Sequence, residues 1–108
     1  METNREIVGL TMRILRTRVF SITQIELCKR MDVSQGYISK LERGIQELGF
    51  KDYYQLLDAF KISSGDFESA VTTTASHLRT INSLERPGKL PKDAEAELSN
   101  SIQQAWRN

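Results

Sequence analysis

Two helix starts follow one another at close range, and they restrict the fold more than any other feature of the chain. Thr23, with Glu26 three residues later, has the form of a capping box, in which each side chain can bind the other residue's free backbone N–H. Ser34 is a second N-cap. Its helix has to stop at Gly44, the kind of residue that takes a left-handed conformation after a last helical turn. Leu27, Cys28 and Met31 share one face of the first short helix, and Ile38 and Leu41 point inward from the second. Asp32, between them, tolerates a left-handed backbone better than most residues. Spacing alone therefore predicts two short helices joined by a tight turn.

The flanking segments read as helices too. Residues 4–18 carry two adjoining apolar rows, Ile7, Leu10 and Ile14 beside Val8, Met12, Leu15 and Val19, which is the pattern of a helix that packs on two sides. Residues 53–60 are helical by spacing. A further helix is predicted from about Asp66, because Phe67, Val71, Thr74, Leu78 and Ile81 form a narrow stripe, although the run of threonines at 72–74 lowers helix propensity. Residues 86–89 read as a break, and Pro91 as the opening of a last helix with Ala94, Leu98, Ile102, Ala105 and Trp106 as its apolar positions. No strand-like alternation competes with these patterns, so the chain reads as all-α.

At 108 residues the chain has room for one ordinary domain, and 39% hydrophobic with 27% charged residues is a globular composition. The formal charge of +1 says nothing about an anionic partner, but residues 12–43 hold seven basic and three acidic side chains, a local excess of 7 − 3 = +4. That excess suggests a phosphate-facing surface. The single cysteine, Cys28, reads as a small core residue, and His77 as a surface or interface histidine. No group of side chains has the spacing of metal ligands, so neither metal nor cofactor is expected. Asp93, Glu95 and Glu97 read as helix-start chemistry rather than a carboxylate pair. Without a nucleophile, acid–base pair or metal cluster, an enzyme is not expected. No apolar run approaches the roughly 18 residues that span a bilayer, and the first residues do not have the form of a secretion signal, so a cytoplasmic, membrane-free location is the expectation.

From Gln24 to Arg43 the sequence resembles the helix-turn-helix of the phage-repressor and Cro-like family. The matching residues are Gln24-x-x-Leu27-Cys28, Val33-Ser34, Tyr37-Ile38-Ser39 and Leu41-Glu42-Arg43-Gly44. The segments Met12-Arg13-Ile14-Leu15-Arg16 and 56–63 resemble the same family's first helix and later core segment, with one extra residue between the first helix and Gln24. The resemblance implies a repressor-like five-helix domain over residues 1–67, which leaves 68–108 as a helical extension. It also implies a partly buried ion pair to Glu42, with Arg16 as first partner and Arg13 as second.

On this reading double-stranded DNA is the partner. Gln35 can pair bidentately with adenine and Lys40 can donate to guanine, while Tyr37 serves either as a base contact or as packing against the turn. Gln24, Ser39 and Arg43 are the expected backbone contacts; Lys29 and Arg30 are either part of that clamp or a solvated face. Gly36 offers no side chain where the family commonly presents one, and so permits a close approach of backbone to DNA. The apolar positions Phe67, Val71, Leu78, Ile81, Leu98, Ile102 and Trp106 either cover the domain's own core or pair with another chain. The second option is favoured, giving a homodimeric repressor or autoregulator on a pseudo-palindromic operator. The alternative is an antitoxin-like or adaptor protein whose C-terminal helices bind a partner protein.

Overall fold

The computed structural model describes residues 4–84 and 92–107, with side chains for 4–80 and 93–107. The expected break at 86–89, Pro91 and the Ile81 side chain lie outside the described residues. Among the described residues six α-helices follow one another: α1 (Asn4–Ile14), α2 (Gln24–Met31), α3 (Gln35–Glu42), α4 (Phe50–Phe60), α5 (Ser64–Leu84) and α6 (Lys92–Arg107). There is no strand among the described residues, and no helix there is long and apolar enough to cross a membrane.

The first helix does not run evenly to Arg18. After Ile14 it widens into a π-helical turn, Leu15–Val19, with the Phe20 N–H bonded to the Leu15 carbonyl at 2.8 Å. A π turn takes up one residue more than an α turn. It accommodates the extra residue that the sequence carries ahead of Gln24, without rotating Met12, Ile14 and Leu15 out of the core, where all three are fully buried.

α5 starts two residues earlier than the spacing predicts. Ser63 Oγ accepts from the Asp66 N–H at 3.0 Å, and an Asp66 carboxylate oxygen accepts from the Ser63 N–H at 3.3 Å. Ser63 is thus the cap of this helix. At Thr23 only the first half of that exchange forms: Thr23 Oγ1 accepts from the Glu26 N–H at 3.0 Å, while the Glu26 carboxylate turns to Arg30.

Among the described residues one core joins all six helices. It contains Met12 and Leu15 from the first helix and its π turn, Leu27 and Met31 from α2, and Ile38 and Leu41 from α3. It continues through Leu56 and Phe60 of α4 and Phe67 and Ala70 of α5 to Leu98 and Ile102 of α6. The division expected at residue 67 falls inside α5, which runs unbroken from Ser64 to Leu84. α5 and α6 pack on each other and on α1. Trp106 donates its indole N–H to the Asp66 carbonyl at 2.8 Å and lies 6.2 Å from Phe20, whose ring stacks on Phe60 at 4.9 Å.

Of the two destinations open to the C-terminal stripe, most of its described residues take the first and cover the chain's own core. Phe67, Leu78, Leu98 and Ile102 are buried within one chain, and Val71 and Trp106 are partly buried. The physical reason is that a stripe records that a helix face is covered, not which chain covers it. Thr74, in the middle of the stripe, is fully buried, with its hydroxyl 2.9 Å from that of Thr11 on α1.

Candidate nucleic-acid interface

α2 and α3 are joined by a turn in which Asp32 takes a left-handed backbone, φ 57°, and returns its N–H to the Cys28 and Lys29 carbonyls at the end of α2. Ser34 then caps α3, accepting from the Tyr37 N–H at 3.1 Å. α3 ends in a Schellman arrangement: the Gly44 N–H bonds Leu41 O at 3.1 Å and the Ile45 N–H bonds Lys40 O at 3.1 Å, with Gly44 at φ 75°. A side chain at Gly44 would also run into the Glu6 backbone, so the residue is fixed both by conformation and by contact.

Behind α3 lies a second close approach. A methyl group at Gly9, inside α1, would overlap the Leu41 carbonyl oxygen. Gly9 thereby sets how near α1 comes to α3. Sequence reasoning passed over it, although a glycine in a helix interior, which costs about 0.5–1 kcal/mol relative to alanine, is a signal that something demands it.

The pairing behind α3 is bidentate. Arg16 Nε and Nη2 donate to the two Glu42 carboxylate oxygens at 2.6 and 3.0 Å, and Arg16 Nη1 donates to the Ile22 carbonyl at 2.9 Å. Both side chains are largely withdrawn from solvent, with 12% and 3% exposed. Glu42 Oε1 also accepts from Gln24 Nε2 at 3.0 Å, and Gln24 Oε1 lies 3.5 Å from Gln35 Nε2. The expected clamp residue and the expected adenine reader thus stand side by side, anchored through Glu42 to the first helix. Arg13 goes elsewhere: with Arg18 it meets Glu95 of α6, at 2.8 and 3.5 Å.

These contacts change how the +4 excess is read. Of its seven cations, Arg13, Arg16, Arg18 and Arg30 are held by protein acceptors. Arg30, expected beside the phosphates or in solvent, donates to the Ala59 carbonyl at 3.0 Å near the end of α4 and pairs with Glu26 at 3.2 Å. Lys29, Lys40 and Arg43 stand exposed, Arg43 with its Nε 3.3 Å from the Ser39 carbonyl.

The outward arc of α3 is Gln35, Gly36, Lys40 and Arg43, all exposed, with Ser39 half-buried among them; Ile38, Leu41 and Glu42 are buried. Gly36 faces open space, since a side chain there would meet nothing nearer than Ser34 Oγ at 4.0 Å. Tyr37 is not on this arc. Its ring packs against the core and its hydroxyl donates to Asp52 Oδ2 of α4 at 2.5 Å. Burial first, and then the Asp52 carboxylate, push the phenol up to about 12. Packing against the neighbouring helix, rather than a base contact, is where the structure places Tyr37. The signal was available: Tyr37 lies one helical turn before Leu41, on the inward side.

Cys28 is half-buried beside the core with its Sγ 3.0 Å from the Ile25 carbonyl, and His77 Nδ1 lies 3.1 Å from the Thr73 carbonyl. Among the described residues no group of three metal-ligating side chains comes together.

No curated relative matches the chain. Residues 18–67, a little under half of it, match the family model described as Helix-turn-helix. The matched span takes in α2, the Asp32 turn, α3 and α4, the elements that carry Gln24, Gln35 and Lys40. Over residues 18–67 the chain is thus similar to helix-turn-helix domains of the Cro/C1 type, a family of DNA-binding transcription regulators.

Proposed function

We propose that this chain recognises a specific DNA sequence by laying α3 in the major groove, and that it acts as a dimeric repressor or autoregulator on a pseudo-palindromic operator. The observation that carries the reading is the outward arc of α3. Gln35 and Lys40 are exposed there, and Gln24 is anchored beside Gln35 through the buried Arg16–Glu42 pair. A buried, bidentate anchor holds these side chains in register before DNA arrives, which lowers the ordering entropy of binding. Gln35 suits adenine and Lys40 suits guanine O6 and N7. Gln24 at the first turn of α2, with Ser39, Arg43 and Lys29, meets the phosphates and supplies affinity without sequence information. Gly36 leaves room for the α3 backbone to come close to base edges. Two such heads about 34 Å apart select half-sites one helical turn from each other, and occupancy there occludes polymerase.

Selection of bound sequences from random DNA, with the salt dependence measured alongside, tests this. The expected outcome is an inverted repeat and a steep fall of affinity with salt. Recovery of no consensus at any salt concentration would sink the sequence-specific reading.

A further inference from the structure

With the C-terminal stripe buried inside one chain, a dimer needs another face. Among the described residues the large apolar side chains left in solvent are Ile25, Ile45, Phe50 and Tyr54. Three of these follow α3 closely in the chain: Ile45 comes directly after Gly44, Phe50 opens α4, and Tyr54 stands one turn further on. Phe50 is 78% exposed, and its ring meets that of Tyr54 edge-on at 5.1 Å. Tyr53, next to Tyr54, continues the aromatic contacts inward to Phe67 of the core at 5.7 Å.

Beside this projecting ring opens a groove of about 720 Å³ between the start of α1, the loop before α4, and α5. Val8, Leu48, Tyr53, Phe67 and Val71 make its apolar lining, with the projecting Phe50 itself forming part of the rim; Arg5 on α1 and Glu47 and Glu68 on the loop and α5 give it charges of both signs. A two-fold contact requires one patch to be complementary to itself. This patch carries both members of each pair it needs: a ring and a groove, a guanidinium and carboxylates.

We propose that this face joins two copies of the chain, each Phe50 entering the groove of the second copy, with Arg5 of one facing Glu47 and Glu68 of the other. The inference rests on the dimeric reading above and relocates its interface. A contact that starts directly after Gly44 leaves Gln35, at the opposite end of α3, clear for DNA.

The full chain, without DNA, is examined by sedimentation equilibrium over a dilution series. The native chain is expected at twice the 12.4 kDa of one copy. Phe50→Asp, at an exposed position, is expected to weaken self-association at least about 30-fold with an unchanged helical circular dichroism signal, as for a central interface anchor. Arg5→Glu alone weakens it as well, and mixing those chains with Glu47→Arg/Glu68→Arg chains restores a hetero-pair. A native chain that stays at 12.4 kDa throughout overturns the proposal, including one whose groove takes up a small molecule or a foreign protein while monomeric. A dimer indifferent to Phe50→Asp overturns it too. Failure of the DNA reading would show separately, as a Lys40→Ala chain that protects the same DNA as the native one whatever its mass.

Discussion

The outward face of α3 and the paired helices α5 and α6 both looked like contact surfaces in the sequence, and the structure treats them in opposite ways. α3 buries Ile38 and Leu41 and leaves a polar arc open. α5 and α6 turn their apolar stripes onto α1, the π turn and each other, and become half of the wall around a single core. The polar side chains on the outer arc of α3 lie away from the core and stay exposed, whereas Glu42 and Tyr37 on its other faces are partnered internally. Apolar side chains on a longer helix are covered by whatever lies nearest, and here the nearest surface belongs to the same chain.

The comparison can be attacked experimentally, beginning with its anchor. Glu42→Ala leaves Arg16 largely buried and without its carboxylate, and is expected to lower unfolding stability by about 3–5 kcal/mol. Combining Arg16→Met with Glu42→Leu is expected to recover much of that loss, read by urea denaturation. Next is Leu98→Ala on α6, fully buried, with an expected loss of about 2–5 kcal/mol in a single cooperative transition. If α5 and α6 were a separate extension, the midpoint of the DNA-binding part would not move.

On the open side, Lys40→Ala is expected to relax discrimination at one base pair by about 1–3 kcal/mol, whereas Arg43→Ala should weaken operator and random DNA alike. Competition binding against single-base operator variants separates the two. Gly36→Ala is expected to raise stability by about 0.5–1 kcal/mol, because the site is open and helical, while weakening operator binding if the backbone comes close to the bases. The smallest effect concerns Tyr37. Its neutral form is favoured in the folded chain, so the stability it contributes is full below pH 10 and is lost as the pH rises through about 12. An ultraviolet phenol titration should show this step, and Tyr37→Phe should remove it.

Much of the site was legible because it depends on local chemistry. Thr23, Ser34, Asp32 and Gly44 each act within a few residues of themselves, through caps and left-handed turns, and the sequence shows such signals directly. Gln35, Lys40 and Arg43 follow from the helical period once those limits are set. The resemblance named Arg16 and Glu42, and the structure holds them in one bidentate pair. Tyr37 and Arg30 were harder to place, because an amphipathic side chain has two acceptable destinations. Asp52 and the Ala59 carbonyl, which decide between them, lie on α4, well along the chain. Glu95 likewise looked like a helix-start residue until α6 came to rest against Arg13 and Arg18.

The sequence by itself determined an all-α chain, the two capped helices with their turn, and the side chains that α3 turns outward, because each of these is set by periodicity and by bonds between near neighbours. Only the tertiary structure decided that the basic excess is mostly spent on internal pairs, that Gly9 must be a glycine, and that the C-terminal stripes close one core while Phe50 is left in solvent. Those outcomes depend on which distant surfaces meet, and an apolar or charged residue carries no mark of the partner it will find.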